Sequence, residues 1–585
     1  MKKISAFILV IALSIGSLVF AQKVELKWTE KMLYDNKLDG FFDAMIGSNS
    51  KYIYAKFSNL SLSSKKTNNN MSLLAFDKKT MKKVKEVEVI SADENKNKNS
   101  KYKDLYYLKT IVFEDLIYVF FKKWDKASAK DGREALYVQT YNGNLKKLNR
   151  LKKIYETKGD LFVVANEKID NRILLGSEPI VQKGQSIRFE YKILNSDFSF
   201  ESADQIKLPL KQIAKKKRGL SSSYELGDDG NIYVETNINL SKEERKAAKK
   251  GEPLSYSLLT IVTPGTKQVK SYSVKFDNKV VYDFDYIVHK NGVKLFGFFC
   301  DLQKDPKGND LHGIFSTLID SKRMALESVN FSYFTKNQLD ILFAEDRKDR
   351  GDKRRIQSKR KKESEEESIA SNYVIEQVIS LDKSNIVLLC SRMNNYSKQV
   401  CTTNSKGQTT CKTYYYCQKS NVTAFKVDKG GDILWASNLD REITYNRWWV
   451  YDIRAIHKGN KIYVTYGSAY AAKAKKKNRS SKKSKEHRTG MFEYAVFDYN
   501  TGQYKRDEYR INPINAKKKD RKTIAPTRIA VIDNEFFVHS SRISYKPEAF
   551  LWCIPSLVCP LLLYIPFMNS KYKKGYGYMG SIKPL

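Results

Sequence analysis

The sequence predicts an all-β protein, an eight-bladed β-propeller closed by its own N-terminal strand, with its long inserts on one face. Three observations carry that expectation. Tyr (37) and Phe (29) are abundant and fall with Val and Ile in short runs, a composition that suits pleated, half-buried surfaces. The runs recur as a unit of several short strands, the signature of a propeller. One strand near the N-terminus has no unit of its own, while the last unit lacks a strand.

Eight apolar runs mark the repeat: Tyr52–Phe57, Leu116–Phe121, Arg172–Gly176, Asn231–Glu235, Val293–Phe299, Asn385–Cys390, Lys461–Tyr466 and Glu535–His539. Each unit reads as four strands, A to D. In the seventh, A is Val450–Ile456, B is Lys461–Tyr466, C is Met491–Asp498 and D is Tyr504–Ile511. In the first, C is Leu73–Asp77 and D is Lys82–Ile90. Turn residues close the C–D hairpins: Asn142 and Gly143, Pro264 and Gly265, Gly430 and Gly431, Asn500 and Gly502. The eighth unit has A (Arg528–Ile532), B (Glu535–His539) and C (Tyr576–Lys583) but no D. The orphan strand Val24–Met32 fits that slot and would remove two sheet edges at once. A seven-bladed ring is the next choice, and separate β-sandwich domains are the alternative to any ring.

The stretch from Ala424 to Trp435 (AFKVDKGGDILW) resembles the repeat of quinoprotein-like (PQQ-repeat) propellers. Phe497 to Gly502 and Ala75 to Thr80 resemble its turn. In that family the Trp locks adjacent blades by packing and by a hydrogen bond, so the resemblance implies that role for Trp435. Cys401 to Trp435 is also similar to a segment of uncharacterised exported bacterial proteins, which implies no activity. Pyrroloquinoline quinone is not implied, because no vicinal Cys pair or Glu/Asn/Asp metal set stands out. No cofactor is expected.

Export is expected from the first 21 residues. Lys2 and Lys3 precede an apolar stretch, Ala6 to Phe20, and Val19-Phe20-Ala21 offers a signal-peptide cleavage site. The alternative is an N-terminal membrane anchor. No Cys follows the cleavage site, which argues against a lipid anchor. The remaining chain, 22–585, reads as one domain in the periplasm, on the outer surface or in the medium. Its inserts lie at 335–372 (charged), 391–419 (a Cys hairpin), 469–489 (Lys-rich) and 541–575 (apolar).

The chain carries a formal net charge of +40. That excess speaks to polyanionic partners and not to fold. It concentrates on connections that should leave one face, the B–C and D–A loops. Three clusters are candidates for anion binding: Lys215, Lys216, Lys217 and Arg218; Lys475, Lys476, Lys477, Lys482, Lys483, Lys485 and Arg488; and Lys517, Lys518 and Lys519. The bland alternative is a set of solvated loops that favour solubility. Nucleic acid is a weaker fit, although Lys-rich loops bind phosphate and Tyr414 to Tyr416 could stack. Lipid headgroups, acidic glycans and acidic proteins suit an exported chain better.

Residues 549–568 are uncharged for twenty positions, but Pro555, Pro560 and Pro566 argue against a regular spanning helix. Phe550, Leu551, Trp552, Leu561, Leu562 and Leu563 are candidates for a membrane contact, for a lid over the channel or for a subunit contact. Cys401 and Cys411 should face each other across a polar hairpin as a disulfide, and Cys553 and Cys559 could close a small loop. Cys300 and Cys390 fall in B strands as buried thiols, and Cys417 has no clear partner. No metal-ligand spacing, nucleophile elbow or phosphate loop appears. Asp301 and Asp310 could in principle form a glycosidase pair, but read more simply as solvated loop residues. The expected function is therefore non-enzymatic binding through the basic face. The competing expectation is a glycan-processing hydrolase with its site on that face.

Overall fold

A run that is apolar at every position needs a strand covered on both faces, because successive side chains point opposite ways. The computed structural model shows that arrangement. It describes the strands and most short turns between residues 24 and 584. Residues 1–23 and 585, the long connections 59–70, 91–104, 126–132, 212–220, 240–254, 344–367, 468–490, 512–521 and 546–572, and several short turns lie outside the described residues.

The described residues form eight antiparallel sheets of four or five strands in up-and-down order, and a two-stranded ribbon pairs Asp310–Leu311 with Ile369–Ala370. Sheet one is Phe41–Ser48, Tyr52–Ser58, Met71–Asp77 and Lys83–Ile90. Sheet two is Leu105–Val112, Leu116–Asp125, Arg133–Asn142 and Lys152–Thr157, and sheet three is Gly159–Asn166, Arg172–Pro179, Ser186–Leu194 and Phe200–Lys211. Sheet four is Ser221–Leu226, Ile232–Asn239, Ser255–Thr263 and Gln268–Ser273. Sheet five is Lys279–His289, Gly292–Asp301 and Gly313–Asp320, with Ala325–Leu326 and Asn330–Tyr333 sharing its outer edge. Sheet six is Tyr373–Ser380, Ile386–Thr403, Thr409–Val427 and Ile433–Tyr445, and sheet seven is Arg454–Lys458, Lys461–Thr465, Met491–Asp498 and Tyr504–Arg510. The eighth sheet runs Ala530–Ile532, Glu535–Tyr545 and Lys573–Pro584, and its next strand is N-terminal: Val24–Trp28 pairs antiparallel with Lys573–Pro584, Val24 opposite Pro584 and Trp28 opposite Gly580. The expected single strand Val24–Met32 is two, because Met579 both accepts from the Thr29 N–H (2.7 Å) and donates to its hydroxyl (2.9 Å) before Met32–Asp35 resumes pairing.

The second strand of each sheet packs on both neighbours. Leu174 faces sheet four, while Leu175 faces sheet two. Leu388 joins the cluster shared with sheet five, while Leu389 joins the one shared with sheet seven. Val538 packs towards Tyr463 of sheet seven, and Phe537 packs towards Ile53 and Phe76 of sheet one. Each large side chain buried this way stabilises the fold by about 1.5–3 kcal/mol.

Polar stitches supplement the packing. Trp435 Nε1 donates to Tyr499 O across sheets six and seven (3.0 Å), the locking role that its sequence context implied. Its ring lies over Gly502, where a Cβ would come within 2.5 Å of it and where φ is +70°. Tyr54 OH donates to Gly143 O (2.6 Å) and Lys294 Nζ to Asp428 O (2.6 Å) across other sheet pairs. At the third-to-fourth-strand turns an Asp carboxylate collects following backbone N–H groups: Asp77 from Thr80 (2.8 Å), Asp498 from Thr501 (2.9 Å) and Asp428 from Gly431 (2.8 Å).

Two connections hold structure that composition concealed. The charged stretch 335–372 opens with helix α1 (Lys336–Phe343), which buries Leu339 and Leu342 in the core. The stretch 391–419 is not a separate loop. It prolongs the two middle strands of sheet six into a hairpin arm.

Candidate functional site

Each sheet has two ends. Connections from first to second strand and from third to fourth strand leave one end, and the remaining connections leave the other. Every connection longer than nine residues between described strands leaves that second end, the insert-bearing end. The connection 212–220, nine residues long, leaves the same end; the three basic clusters, Phe550 to Trp552, Leu561 to Leu563, Cys553 and Cys559 all belong to connections at this end and lie outside the described residues. Cys401 and Cys411 are described, and form a disulfide with sulfurs 2.07 Å apart. Cys300, Cys390 and Cys417 are buried free thiols.

A cavity of about 330 Å³ lies between sheets four and five at this end, lined by Glu235, Tyr256, Ser257, Lys275, Lys279 and Asp283 among others. A slip of register between Tyr282 and Phe284 sets Asp283 apart from the ladder at φ +21°. Its carboxylate accepts from the Ile375 N–H of sheet six. Water reaches this side chain through the cavity, but the surrounding protein removes much of its hydration. That desolvation, with the nearby charges of Asp285 and Glu235, pushes the Asp283 carboxyl up to about 6. Burial also raises Glu235, against a hydrogen bond from the Ser223 hydroxyl (3.3 Å). Burial raises Asp285 as well. Two carboxyls raised by burial share this concave space, and Lys275 and Lys279 line it with them.

Asp301 is not a solvated loop residue. It is buried, pairs with Lys279 Nζ at 2.8 Å and accepts from the Tyr333 hydroxyl. Burial would raise its carboxyl, but these two partners outweigh that and hold it below the ordinary range. Asp301 therefore anchors Lys279 at the cavity wall, and the structure does not place it as one of a catalytic pair with Asp310.

The raised carboxyl of Asp283 makes a signed prediction. Its folded pKa lies above the ordinary value of 3.8, so between about 4 and 6 the folded state holds more protons than the unfolded one. Its contribution is fully present below pH 4 and lost as pH rises through 6. Asp283→Asn keeps the oxygen that Ile375 bonds and removes the ionisation. Thermal melts should show this variant matching the parent at pH 4 and exceeding it at pH 8. Equal melting temperatures at both pH values would contradict the crowding described here.

A second feature at the same end joins sheets six and seven. Glu376, Lys419, Arg441 and Asp452 have fully buried side chains. Arg441 grips Asp452 with both terminal nitrogens (2.7 and 3.0 Å), and its Nε donates to Asn421 O (3.2 Å). Lys419 Nζ lies 2.5 Å from Glu376, which also accepts from the Asp452 N–H (2.8 Å) and the Ile453 N–H (3.1 Å). Tyr445 OH donates to Asp452 (2.6 Å). Burial would raise the Asp452 carboxyl, but Arg441 outweighs it and holds it low. Every charge here faces an opposite one at close range, so the cluster is a clasp between sheets rather than a place for a ligand.

Sequence reading did not single out Glu235, Asp283 or this clasp. Asp283 and Asp285 sit two apart in sequence, but the slip at Asp283 breaks the alternation that would put both on one face. Register slips in three adjacent strands of sheet six, around Glu376, Ser391 and Asn421, bring the clasp together. Such slips have no sequence signature of their own.

No family model matches the chain, and no curated protein matches it. Among solved structures it is similar to the WD40 domain of SCAP from fission yeast (9% identity, covering 96% of this chain and 98% of that one, TM-score 0.34). It is similar to the Dos1 propeller (8%, 88% and 92%, TM-score 0.33) and to the Bombyx mori GH32 β-fructofuranosidase BmSUC1 (8%, 95% and 94%, TM-score 0.25). These neighbours include both enzymes and WD40 proteins, and likenesses at this level assign no activity to the present chain.

Proposed function

We propose that this chain is an exported, non-enzymatic binding protein, an eight-bladed propeller whose insert-bearing face holds an anionic envelope component or an acidic partner protein. The N-terminal strand closes the ring, so the insert-bearing ends of all sheets form one surface. The observation that supports this reading most is the one-sided placement of the long connections, which carry the Lys-rich clusters. A cationic surface of that kind attracts anions over roughly 8–10 Å at physiological salt. The pairing of Val24–Trp28 with Lys573–Pro584 and the apolar cluster shared by sheets eight and one support closure.

Deletion of Lys473–Arg488 removes nine basic residues and one acid. Retention of the deleted chain on heparin or on anionic liposomes should fall relative to the parent, with a shallower salt dependence. Unchanged retention would remove the main support for the reading.

The cavity between sheets four and five favours a second reading, a glycan-processing hydrolase on the same face. It rests on the raised carboxyls of Glu235 and Asp283 in one concave space. Glu235→Gln and Asp283→Asn would each abolish hydrolysis of a glycan panel if that reading holds. A parent chain with no turnover on any of the panel would dismiss it.

A further inference from the structure

The middle strands of sheet six run far past the sheet as a two-stranded arm, paired from Tyr396 opposite Tyr416 to Thr403 opposite Thr409, beyond the last pair with the fourth strand at Cys417 and Tyr445. Its outer half is exposed. An isolated two-stranded hairpin is marginal in water, and the Cys401–Cys411 disulfide staples this one near its tip. Residues 393–417 include Lys398, Lys406 and Lys412 and not one acid. We propose that this arm is a docking element for an acidic polysaccharide. The inference rests on the anion-binding reading above and names both the element and the ligand class.

The register decides which side chains act together. Tyr396 is opposite Tyr416, Lys398 opposite Tyr414 and Val400 opposite Lys412, at every second position along both strands. These six residues share one face, and from Tyr396 to Val400 they extend over roughly 13 Å. Three tyrosines and two lysines on a stapled scaffold give large contact area with little rotamer freedom to lose, since Tyr has only two side-chain torsions.

The ring geometry selects among polyanions. Tyr396 and Tyr416 stack on each other, with centroids 5.2 Å apart and planes 18° apart. Lys412 Nζ sits 5.4 Å over the Tyr414 ring. One face of each of these rings is therefore already engaged. Single-stranded nucleic acid needs open ring faces for its bases. What the arm offers instead is phenolic hydroxyls and ammonium groups, which match the hydroxyls and carboxylates of a uronic-acid polymer. A neutral glycan would leave the lysines without partners.

The test uses the full mature chain and polygalacturonate, with neutral dextran and oligo-dT as comparison probes, read by calorimetry at low and moderate salt. The expected result is binding to polygalacturonate that weakens with salt, and none to dextran. Lys398→Gln with Lys412→Gln, and separately Tyr396→Ser with Tyr414→Ser, should each weaken it at least tenfold with an unchanged melting temperature. Full affinity in both arm variants would overturn the role of the arm. If deletion of Lys473–Arg488 still weakened retention in that case, the broader reading would stand without it. Equal dependence of oligo-dT binding on the same residues would overturn the ligand class, as would absence of polygalacturonate binding by the parent chain.

Discussion

Replacing Arg441 by methionine is expected to cost the fold about 3–5 kcal/mol, the usual penalty when one partner of a buried ion pair is removed. The mechanism is specific. Arg441 supplies two hydrogen bonds to Asp452 and one each to Asn421 O and Gly467 O, and all four charged side chains of the clasp are fully buried. Without it, Lys419 faces both Glu376 and Asp452 alone. Denaturant melts measure the loss, and a change below about 1 kcal/mol would show that the clasp is not closed as described. The same site gives a pH dependence. Asp452 is held below its ordinary range, so the unfolded chain binds its proton first as pH falls. The stability it contributes is present at neutral pH and is lost as pH falls through the ordinary Asp value and on to the folded one. Replacing Arg441 should remove that acid-side slope along with the stability.

The second large effect is expected from deleting residues 22–35. Val24 is buried, and Leu26 and Trp28 pack against the cluster shared by sheets seven and eight. Losing three such side chains costs on the order of 5 kcal/mol. The deletion also bares the ladder edge of Lys573–Pro584, which then becomes a template for pairing with another chain. The shortened protein should melt earlier and aggregate, as followed by light scattering during a thermal scan. A melt and a scattering trace like those of the parent would mean that the strand is an accessory.

Much of this architecture was legible because propeller strands leave a strong pattern. Stretches such as Leu295–Phe299 and Ile386–Cys390 are apolar at consecutive positions, and only a strand covered on both faces tolerates that. The strand Met491–Asp498 is bounded in sequence by its turn, Tyr499 to Gly502, and the structure gives it those same limits. The disulfide was legible because the polar stretch between Cys401 and Cys411 is symmetric, so the two cysteines fall opposite each other.

Other features were hidden for physical reasons. Arm and sheet are one pair of strands, but the alternation changes from apolar in the sheet to polar in the arm, and a polar stretch reads as a loop. Helix α1 carries only Gln338, Leu339 and Leu342 inward, too few to stand out beside the charged run that follows. Asp283 and Glu376 depend on bulges, where one extra residue turns a side chain out of the ladder. Charge reading pointed to the lysine clusters because they are dense in sequence. The cavity acids come from two strands and the clasp from three strands and a turn, and no short window of sequence contains either set.

The proposed function rests on closure of the ring by the N-terminal strand, which would make the insert-bearing ends a single surface, and one cross-link tests it. Glu25 lies opposite Lys583 in the pairing of Val24–Trp28 with Lys573–Pro584, and both side chains are exposed. The double variant Glu25→Cys with Lys583→Cys should form an intramolecular disulfide on mild oxidation of the folded chain, identified as a linked peptide pair by mass spectrometry. Thiols that stay free, or that link only between molecules, would contradict a ring closed by this strand.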